Sequence, residues 1–276
     1  MEIKRVLNNN SVVTLDEYNN EIIVTGISIG YKKKKGDIID EAVIDKKYKL
    51  ENNEISRRFQ DVLKTVSDKY LIVTDKIIDA IKTEYNIKVS DALYITLTDH
   101  IDSVIDRYEA GIVLENTMLW DIKNLYRNEF AIGKKAIEWI EDLSGIELDE
   151  NEAGFIAMHI VMAEVNSDMQ NISNITHLIN SILQIVQDYY KIEYRKESTH
   201  YQRFVTHLKF FAIRILEGTH VDDDMSELYD MYASQNQAVL HGVEKIGDFL
   251  KEQHQYSLNK DEKLHLMMHV NRILKQ

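Results

Sequence analysis

The sequence contains no cysteine and no proline among its 276 residues. The absence of cysteine excludes disulfide bonds, thiolate nucleophiles and cysteine-based zinc sites, and it fits a reducing cytoplasmic location. The absence of proline, which usually supplies about 5% of residues, favours long uninterrupted helices. No apolar run approaches the roughly 18 residues of a membrane span, and the first residues do not resemble an export signal. We therefore expect a cytoplasmic protein without membrane insertion.

Positive charge is in deficit as well, since 33 Lys and Arg face 46 Asp and Glu, for a net charge of −13. An acidic chain ordinarily does not bind nucleic acid. The acidity is uneven, however, because residues 1–56 carry 9 basic and 10 acidic residues, which leaves 24 and 36 for the remainder. An unbroken basic run, Lys32–Lys35, lies within this nearly neutral first part. The net charge therefore does not exclude nucleic acid as a partner of the first part.

The first fifty residues have the pattern of short β-strands. Segments rich in valine and isoleucine alternate with turns rich in asparagine, a residue that tolerates positive φ and caps its own backbone. The predicted strands are "EIKRVL", "SVVTLD", "EIIVTG" and "KKYKL". Four short strands form a small antiparallel sheet of marginal stability, which pairing with a second copy would increase. We therefore expect a homodimer.

From about residue 56 the apolar period becomes helical. The stretch "ISRRFQDVLKTVSDKY" predicts one helix over 55–70, because its apolar residues recur at helical spacing. Ser90 is a predicted helix cap, and Ser144 followed by Gly145 predicts a break between two later helices. Strand signals do not return, so the remainder is predicted to be all-helical. The apolar stripe of the first predicted helix consists of Ile55, Phe59, Val62, Leu63 and Val66.

The helical part contains an internal repeat. "LDENEAGFIAMHIV" at 148–161 aligns with "LNKDEKLHLMMHVN" at 258–271, at an offset of 110 residues. "YITLTDHI" at 94–101 aligns with "YQRFVTHL" at 201–208, at an offset of 107. A small change of offset is a difference in loop length, so we infer two copies of one helical module. The boundary between the copies is predicted in "NSDMQN".

The repeat singles out four of the ten histidines, namely His100 and His159 in the first copy and His207 and His269 in the second. A half-buried packing role is the usual one for a single histidine. Both copies keep both histidines while most neighbours differ, which favours a function. Metal binding lacks a ligand motif, although His265 and His269 are spaced as a two-ligand pair. Acid–base catalysis lacks a recognisable substrate site.

A third role for these imidazoles is nucleophilic. A neutral ring nitrogen can accept a phosphoryl group, which then carries close to two negative charges. This added charge repels nearby acidic surfaces, or it attracts a basic side chain. In either case phosphorylation changes the contacts between surfaces and can act as a switch. Arg107 follows His100 by seven residues and Arg214 follows His207 by seven, so each module offers a candidate cation.

These motifs, together with "IKRVLNNNSVV" and "GISIGYKKKKGDIID", resemble the BglG/SacY/LicT family of transcriptional antiterminators over the whole chain. The resemblance implies a multidomain fold. A small antiparallel β-sheet RNA-binding domain, 1–56, precedes two all-α helical-bundle modules, the PTS regulation domains 57–169 and 170–276. It also implies a regulator that is not an enzyme. Such a protein binds, as a homodimer, a bulged hairpin in nascent mRNA and prevents a terminator from forming in sugar-utilisation operons.

The resemblance further implies that all four histidines are phosphorylated by the sugar phosphotransferase system. A sugar-specific enzyme II typically inhibits such proteins through the first module. The phosphocarrier HPr typically stimulates them through the second.

Six residues are then expected to contact RNA. Asn10 and then Asn8 are the first candidates, because an amide offers both a donor and an acceptor to unstacked bases. A glycine lets backbone approach RNA, an aromatic ring stacks on a base, and basic side chains contact phosphates. The structural alternatives are a plain hairpin turn, a strand-edge aromatic and a solvated lysine loop. The other four candidates are Arg5, Gly26, Tyr31 and Lys32.

Two other functions stay open at this point. A DNA-binding activator with the same regulation modules would need a helix-turn-helix, whereas residues 1–55 have the pattern of strands. A metal-dependent or phosphotransfer enzyme built on the histidines would need a substrate site. For an antiterminator we expect no metal and no other cofactor.

Overall fold

The computed structural model describes residues 1–50, 52–165, 169–221 and 223–275. The chain divides into two compact units, Met1–Ser167 and Asp168–Gln276. The module boundary predicted between residues 169 and 170 adjoins residues 166–168, which lie outside the described residues.

The first unit begins with a four-stranded antiparallel meander, in which each strand pairs with the next along the chain. All four predicted strands are present, and the prediction of a small antiparallel sheet is confirmed. Within the described residues no strand follows the fourth one. Asn9 and Asn10 form the tight turn between the first two strands, next to a register shift between Val6 and Asn8. The strands are β1 (Arg5–Asn8), β2 (Ser11–Leu15), β3 (Glu21–Thr25) and β4 (Lys46–Tyr48).

Alternation along the strands gives the sheet two apolar faces, both of them covered. One face packs against helices of the same unit, where Tyr48 meets Phe59 edge to edge with ring centroids 5.4 Å apart. The opposite face is covered by the segment that follows β3, through Ile29 and Ile39. The strand residues of the helix-facing side are Leu7, Val13, Ile23 and Tyr48, and those of the other side are Val6, Val12, Ile22 and Val24.

Six helices complete the first unit as the structure describes it. The prediction of one helix over 55–70 is wrong, because the backbone is extended at Val66 and Ser67 and two helices result. Val66 stays buried across this break, so the apolar stripe continues although the helix does not. The helices are α1 (Asn53–Thr65), α2 (Asp68–Thr83), α3 (Ala92–Glu109), α4 (Leu119–Leu125), α5 (Arg127–Ser144) and α6 (Glu150–Val165).

Helix ends agree only in part with the sequence-based expectations. The Ser90 cap is wrong, because α3 starts one residue later with Asp91 at its N-cap, while the Ser90 carbonyl accepts a hydrogen bond from the Leu93 N–H. The predicted break at Ser144 and Gly145 is confirmed. Gly145 ends α5 with φ 73°, a left-handed conformation that favours glycine.

The second unit repeats the helical plan of the first. Helices α8, α9, α10 and α11 have 19, 10, 18 and 15 residues, against 18, 7, 18 and 16 for α3, α4, α5 and α6. The predicted pair of all-helical modules is therefore confirmed. The helices are α7 (Met169–Tyr190), α8 (Thr199–Glu217), α9 (Ser226–Gln235), α10 (Gln237–His254) and α11 (Lys260–Leu274).

Candidate functional site

The two histidines of the first module lie on facing helices. His100 on α3 and His159 on α6 have ring centroids 4.7 Å apart, with ring planes inclined by 46°. Glu152, also on α6, is fully buried, and its Oε2 lies 3.5 Å from Nε2 of His100. Arg107, two turns along α3 from His100, donates from Nη2 to Oε1 of Glu152 over 3.1 Å. A carboxylate thus stands between the predicted cation and the first histidine pair.

The second module brings its histidines together in the same way. His207 on α8 and His269 on α11 stack with ring centroids 4.4 Å apart. A third imidazole, His265, has its centroid 6.0 Å from that of His207. The repeat therefore places both pairs at the contact of two corresponding helices.

Burial keeps the imidazoles of His159, His207 and His269 neutral near pH 7. Burial, followed by the charge of His100, lowers the pKa of His159 to about 3. Burial, followed by the charges of His269, His265 and Arg214, lowers the pKa of His207 to about 3. A neutral imidazole keeps the free lone pair that a nucleophile or a metal ligand needs.

The pKa of His269 on α11 is lowered for the same reasons. Burial, followed by the charges of Arg272 and His265, lowers the pKa of His269 to about 4. Both of these neighbouring charges are positive, so they oppose a further positive charge on the ring.

The glutamates at corresponding repeat positions serve different purposes. The Glu262 carboxylate contacts Asn259 in a capping box at the start of α11. It also accepts a short hydrogen bond from the Tyr256 hydroxyl, and its Oε2 lies 3.2 Å from Nδ1 of His220. Glu152, by contrast, contacts Arg107 and His100. The two histidine pairs therefore have different electrostatic surroundings, a difference that the sequence alignment of the repeat does not reveal.

Each module also holds a buried arginine nitrogen without a hydrogen-bond partner among the described residues, Nη1 of Arg107 and Nε of Arg214. The Arg214 guanidinium lies 5.7 Å from the centroid of the Phe211 ring. Buried guanidinium donors that lack an acceptor are suited to bind an anion such as a phosphoryl group. In the described part of the chain, no group of three or more His, Asp or Glu could hold a metal ion.

The asparagine turn forms a second candidate site. The Asn10 N–H donates to Oδ1 of Asn8 over 2.8 Å, and the Ser28 N–H donates to Oδ1 of Asn10 over 2.7 Å. The Gly26 N–H donates to the carbonyl of Asn10. These bonds hold the β1–β2 turn beside the loop 26–31. They bring Asn8, Asn10 and Gly26 into one place.

Two glycines of this loop are required by packing. A Cβ added to Gly26 would lie 2.0 Å from the carbonyl oxygen of Val43. A Cβ added to Gly30 would lie 2.2 Å from the carbonyl oxygen of Asn8. The packing of the loop is therefore enough to account for a glycine at position 26.

The other RNA candidates are distributed unevenly. Tyr31 is the last residue of the loop and Lys32 follows it, both on the exposed surface, and Nζ of Lys32 lies 5.2 Å from the centroid of the Tyr31 ring. Arg5 lies at the opposite end of β1 from Asn8, where its Nη2 is 3.4 Å from Oε2 of Glu21. The structure thus places Tyr31 and Lys32 beside the asparagine turn and sets Arg5 apart.

One residue of this site was not found by sequence reasoning. Asp68, the first residue of α2, accepts hydrogen bonds from Nδ2 of Asn8 and Nδ2 of Asn10, each over 2.6 Å. Its partner Asn10 is 58 residues away in the chain, so no local pattern indicates the contact.

Comparison with known proteins identifies the domains. Residues 1–57 match the CAT RNA binding domain, and residues 75–163 and 180–273 match the PRD domain. The solved "Crystal structure of GlcT CAT-PRDI" is similar with a TM-score of 0.51 and 32% identity, over 59% of this chain and 97% of that chain. Among the described residues no helix is long and apolar enough to span a membrane.

Two relatives are similar to this chain over nearly their whole length. "Transcription antiterminator LicT" of Bacillus subtilis (strain 168) is 40% identical over 100% of both chains. "Beta-glucoside operon antiterminator" of Dickeya chrysanthemi is 38% identical, over 99% of this chain and 96% of the relative. The chain therefore belongs to the BglG/SacY/LicT family of transcriptional antiterminators, with a CAT RNA-binding domain followed by PRD domains.

Proposed function

We propose that this protein is a transcriptional antiterminator of a sugar-utilisation operon. It binds a bulged hairpin in nascent mRNA and prevents the overlapping terminator from forming. The observation that carries the proposal is the union, in one chain, of a CAT RNA-binding domain with two helical modules that each pair two histidines on facing helices.

The sheet domain is the RNA-binding part. Asn8 and Asn10 read the edges of looped-out bases, because each amide supplies a donor and an acceptor. Tyr31 stacks on a base and Lys32 contacts a phosphate from the exposed loop beside them. Gly26 shapes that loop, and Arg5 contacts the RNA backbone from the other end of β1.

The paired histidines receive phosphoryl groups from the sugar phosphotransferase system. A ring nitrogen of His207 or His269 attacks the phosphorus carried by an imidazole of HPr. The new N–P bond forms while the old one breaks, and its electron pair returns to the donor ring. The lowered pKa values of His207 and His269 favour this step, because a protonated imidazole has no lone pair to donate.

The charged groups beside the histidines differ between the two modules, and this difference affects the stability of a bound phosphoryl group. In the second, Arg214 offers to the new phosphoryl oxygens a buried Nε–H that has no partner among the described residues. In the first, the Glu152 carboxylate beside His100 repels a phosphoryl group, while Arg107 attracts it. A phosphoryl group on His100 or His159, supplied by a sugar-specific enzyme II, is therefore the one more easily lost.

The working unit is a cytoplasmic homodimer that is not itself an enzyme. Nascent mRNA and the phosphocarriers meet this protein in the cytoplasm, and a sheet of four short strands benefits from pairing with a second copy. The domain division is 1–56, 57–169 and 170–276, with α1 continuous across the first boundary.

A DNA-binding activator is the alternative candidate, but the described structure of residues 1–48 does not favour it. A helix-turn-helix would be needed. The first 48 residues instead hold four strands and one short 3₁₀ helix, Glu41–Val43.

An electrophoretic shift experiment tests the proposed function. The full chain is mixed with a hairpin containing two internal loops, and with the same hairpin whose loops are closed by Watson–Crick pairs. Enzyme I, HPr and phosphoenolpyruvate are then added. We expect a shift of the looped RNA alone, strengthened by the phosphocarriers. Equal binding to both RNAs, or no response to phosphorylation, would contradict the proposal.

A further inference from the structure

Helix α2 presents an acidic stripe to the RNA-binding sheet. Asp68, Ile72, Asp75 and Asp79 are spaced by four, three and four residues, which places them on one face of a helix. Asp68 contacts the asparagine turn, whereas Asp75 and Asp79 contact β4. The stripe therefore lies along one end of the sheet face that also carries the first RNA candidates.

The Asp68 carboxylate occupies both candidate amides at once. Its Oδ1 accepts from Nδ2 of Asn8 and its Oδ2 accepts from Nδ2 of Asn10. The second N–H of the Asn8 amide is also used, since Nδ2 donates to the carbonyl of Leu63 over 2.7 Å. The Oδ1 atoms of both asparagines accept backbone N–H groups of the same domain. In this arrangement the amides are engaged inside the protein rather than open to base edges.

Further along the stripe, carboxylates meet the basic and hydroxyl groups of β4. Asp75 accepts from Nζ of Lys46 over 2.7 Å and from the Tyr48 hydroxyl. Oδ1 of Asp79 lies 3.7 Å from the same Nζ. Aspartate oxygens thus contact a lysine of the sheet in the manner of backbone phosphates.

The contact between stripe and sheet is open to water at one end. A cleft of about 410 Å³ lies between them, lined by Gly26, Ile27 and Tyr48 of the sheet domain and by Ile72 of α2. Ile27 is 84% exposed and Ile72 is 66% exposed. The buried Ser11 hydroxyl also lines this cleft, and it has no hydrogen-bond partner among the described residues. This open, polar end is the part of the contact that separates most readily, whereas Leu7, Val13 and Ile23 continue into the apolar core of the helices.

We propose that α2 competes with RNA for the CAT domain of the same chain, with Asp68 holding Asn8 and Asn10 until the hairpin displaces it. The inference rests on the proposed RNA-binding role of these asparagines. It adds a mutually exclusive choice, in which the amides bind either Asp68 or a base. The acidic stripe of α2 is then an RNA-like surface carried by the first regulation module.

The competition has a measurable consequence. When the binding-competent form is only a fraction of the molecules, the apparent RNA affinity falls by that fraction. Asp68→Asn removes the negative charge and leaves one acceptor oxygen for two amides, so the closed arrangement is weakened. Because hydrogen bonds to charged groups are among the stronger ones, we expect the full-length variant to bind the looped hairpin about tenfold more tightly.

Asp61→Asn is the matched control. Asp61 lies on α1, is exposed, and pairs only with Lys64 one turn away among the described contacts. The control makes the same change of charge close to the sheet domain without touching the asparagine turn. Its affinity for RNA should stay within about twofold of the parent chain, the small change in the net field being its only effect.

A distance measurement provides a readout that does not depend on affinity. The chain has no cysteine, so spin labels attach only to cysteines that are introduced. Glu17→Cys on the sheet domain and Ser103→Cys on α3 provide two exposed positions for them. The labelled chain is diluted with unlabelled chain, so that the labels report distances within one chain of the proposed dimer. We expect one distance without RNA and a longer, broader distribution with the looped hairpin. In Asp68→Asn the longer distances should be present before RNA is added.

The possible results separate this inference from the proposed function. Tighter binding by Asp68→Asn together with the distance change supports α2 as a competitor. If the looped hairpin binds both chains equally and leaves the label distance unchanged, the competition is wrong while RNA binding stands. If neither Asp68→Asn nor the parent prefers the looped hairpin to its closed counterpart, the proposed function fails and the competition with it.

Discussion

The imidazole rings of His207 and His269 stack with centroids 4.4 Å apart, although the two residues come from different helices of the second unit. The pKa of each imidazole is lowered, because both rings are partly buried and have positively charged neighbours. Because of these lowered pKa values, the stability of the unit depends on pH. The neutral rings are also the form that can accept a phosphoryl group.

Stability should decline as the pH falls below about 6.5, the pKa of histidine in an unfolded chain. In the folded state His207 and His269 titrate near 3 and 4, so between these values and 6.5 the unfolded chain binds more protons. The sign is therefore a loss of stability on acidification, of roughly 1 kcal/mol per pH unit for each histidine between pH 6 and 5. Above about pH 8 the two histidines contribute almost no pH dependence, because they are then neutral in both the folded and the unfolded chain.

Denaturant unfolding at pH 7.5, 6 and 5 checks this slope. The double variant His207→Gln, His269→Gln should show a flatter dependence on pH than the parent chain. His241→Gln, at an exposed position, serves as the control. A double variant with the parent's slope would show that the pair is not protonated on unfolding.

The second histidine pair is expected to be the acceptor for HPr. Incubation of the full chain with enzyme I, HPr and labelled phosphoenolpyruvate should place acid-labile phosphate on residues 170–276. Replacement of His207 and His269 together by alanine should abolish that label. Label that persists in the double variant would contradict the assignment of these sites.

Glu152→Gln should increase phosphorylation of the first module. The buried carboxylate has its Oε2 3.5 Å from His100, and repulsion between unit charges about 4 Å apart is on the order of 1 to 4 kcal/mol. The chain is equilibrated with a phosphorylated enzyme II domain. We expect the ratio of phosphorylated to unphosphorylated chain to be about tenfold higher for Glu152→Gln than for the parent. The measurement uses chains that lack His207 and His269, so only the first module is labelled.

The neighbouring residue on α6 offers a control for this variant. Glu150 forms an exposed ion pair with Lys123, and Glu150→Gln should leave labelling unchanged. A decrease in labelling of Glu152→Gln, with an unaltered circular dichroism spectrum, would show that the carboxylate supports phosphorylation instead of opposing it.

Asn10→Ala should weaken binding of the looped hairpin, because the amide is lost from the base-reading surface. Loss of one two-point amide contact to a base corresponds to about 1–3 kcal/mol, or roughly fivefold to 150-fold in affinity. The same turn supplies its own control in Asn9→Ala, since Asn9 is exposed and only its backbone carbonyl has a described contact. If both variants bind alike, the asparagines act only as turn formers.

Gly26→Ala should destabilise the sheet domain before any effect on RNA is considered. The added methyl group would lie 2.0 Å from the Val43 carbonyl, so the segment that leads into β4 must move. We expect a loss of about 2 kcal/mol or more in the free energy of unfolding. Gly247→Ala in α10 is the opposite case, because its new Cβ has space and alanine favours the helix, so that variant should be neutral or more stable.

The spacing of apolar residues predicted most of the strands and helices, but it did not predict where one helix ends and the next begins. The four strands follow from period-two alternation between asparagine turns, and all four are present. The break between α1 and α2 was missed, because Val66 keeps its place in the apolar stripe while its backbone is extended. The sequence pattern records which side chains are buried, but not that Ser67 interrupts the helix.

The candidate site shows the same limit at the level of single residues. The repeat alone identified four histidines that the structure joins into two pairs. It also aligned Glu152 with Glu262. In the structure the Glu262 side chain contacts Asn259 in a helix cap and the Tyr256 hydroxyl, whereas the Glu152 side chain contacts His100 and Arg107.

By itself, the sequence determined that a β-sheet head precedes two copies of a helical module with paired histidines, since alternation, helical period and internal repetition are properties of neighbouring residues. Only the tertiary structure decided which groups face those histidines, and that a carboxylate at the start of α2 holds the amides of the asparagine turn. Such contacts join residues far apart in the chain. Their geometry depends on where helices break and how the sheet packs on them, which no local pattern encodes.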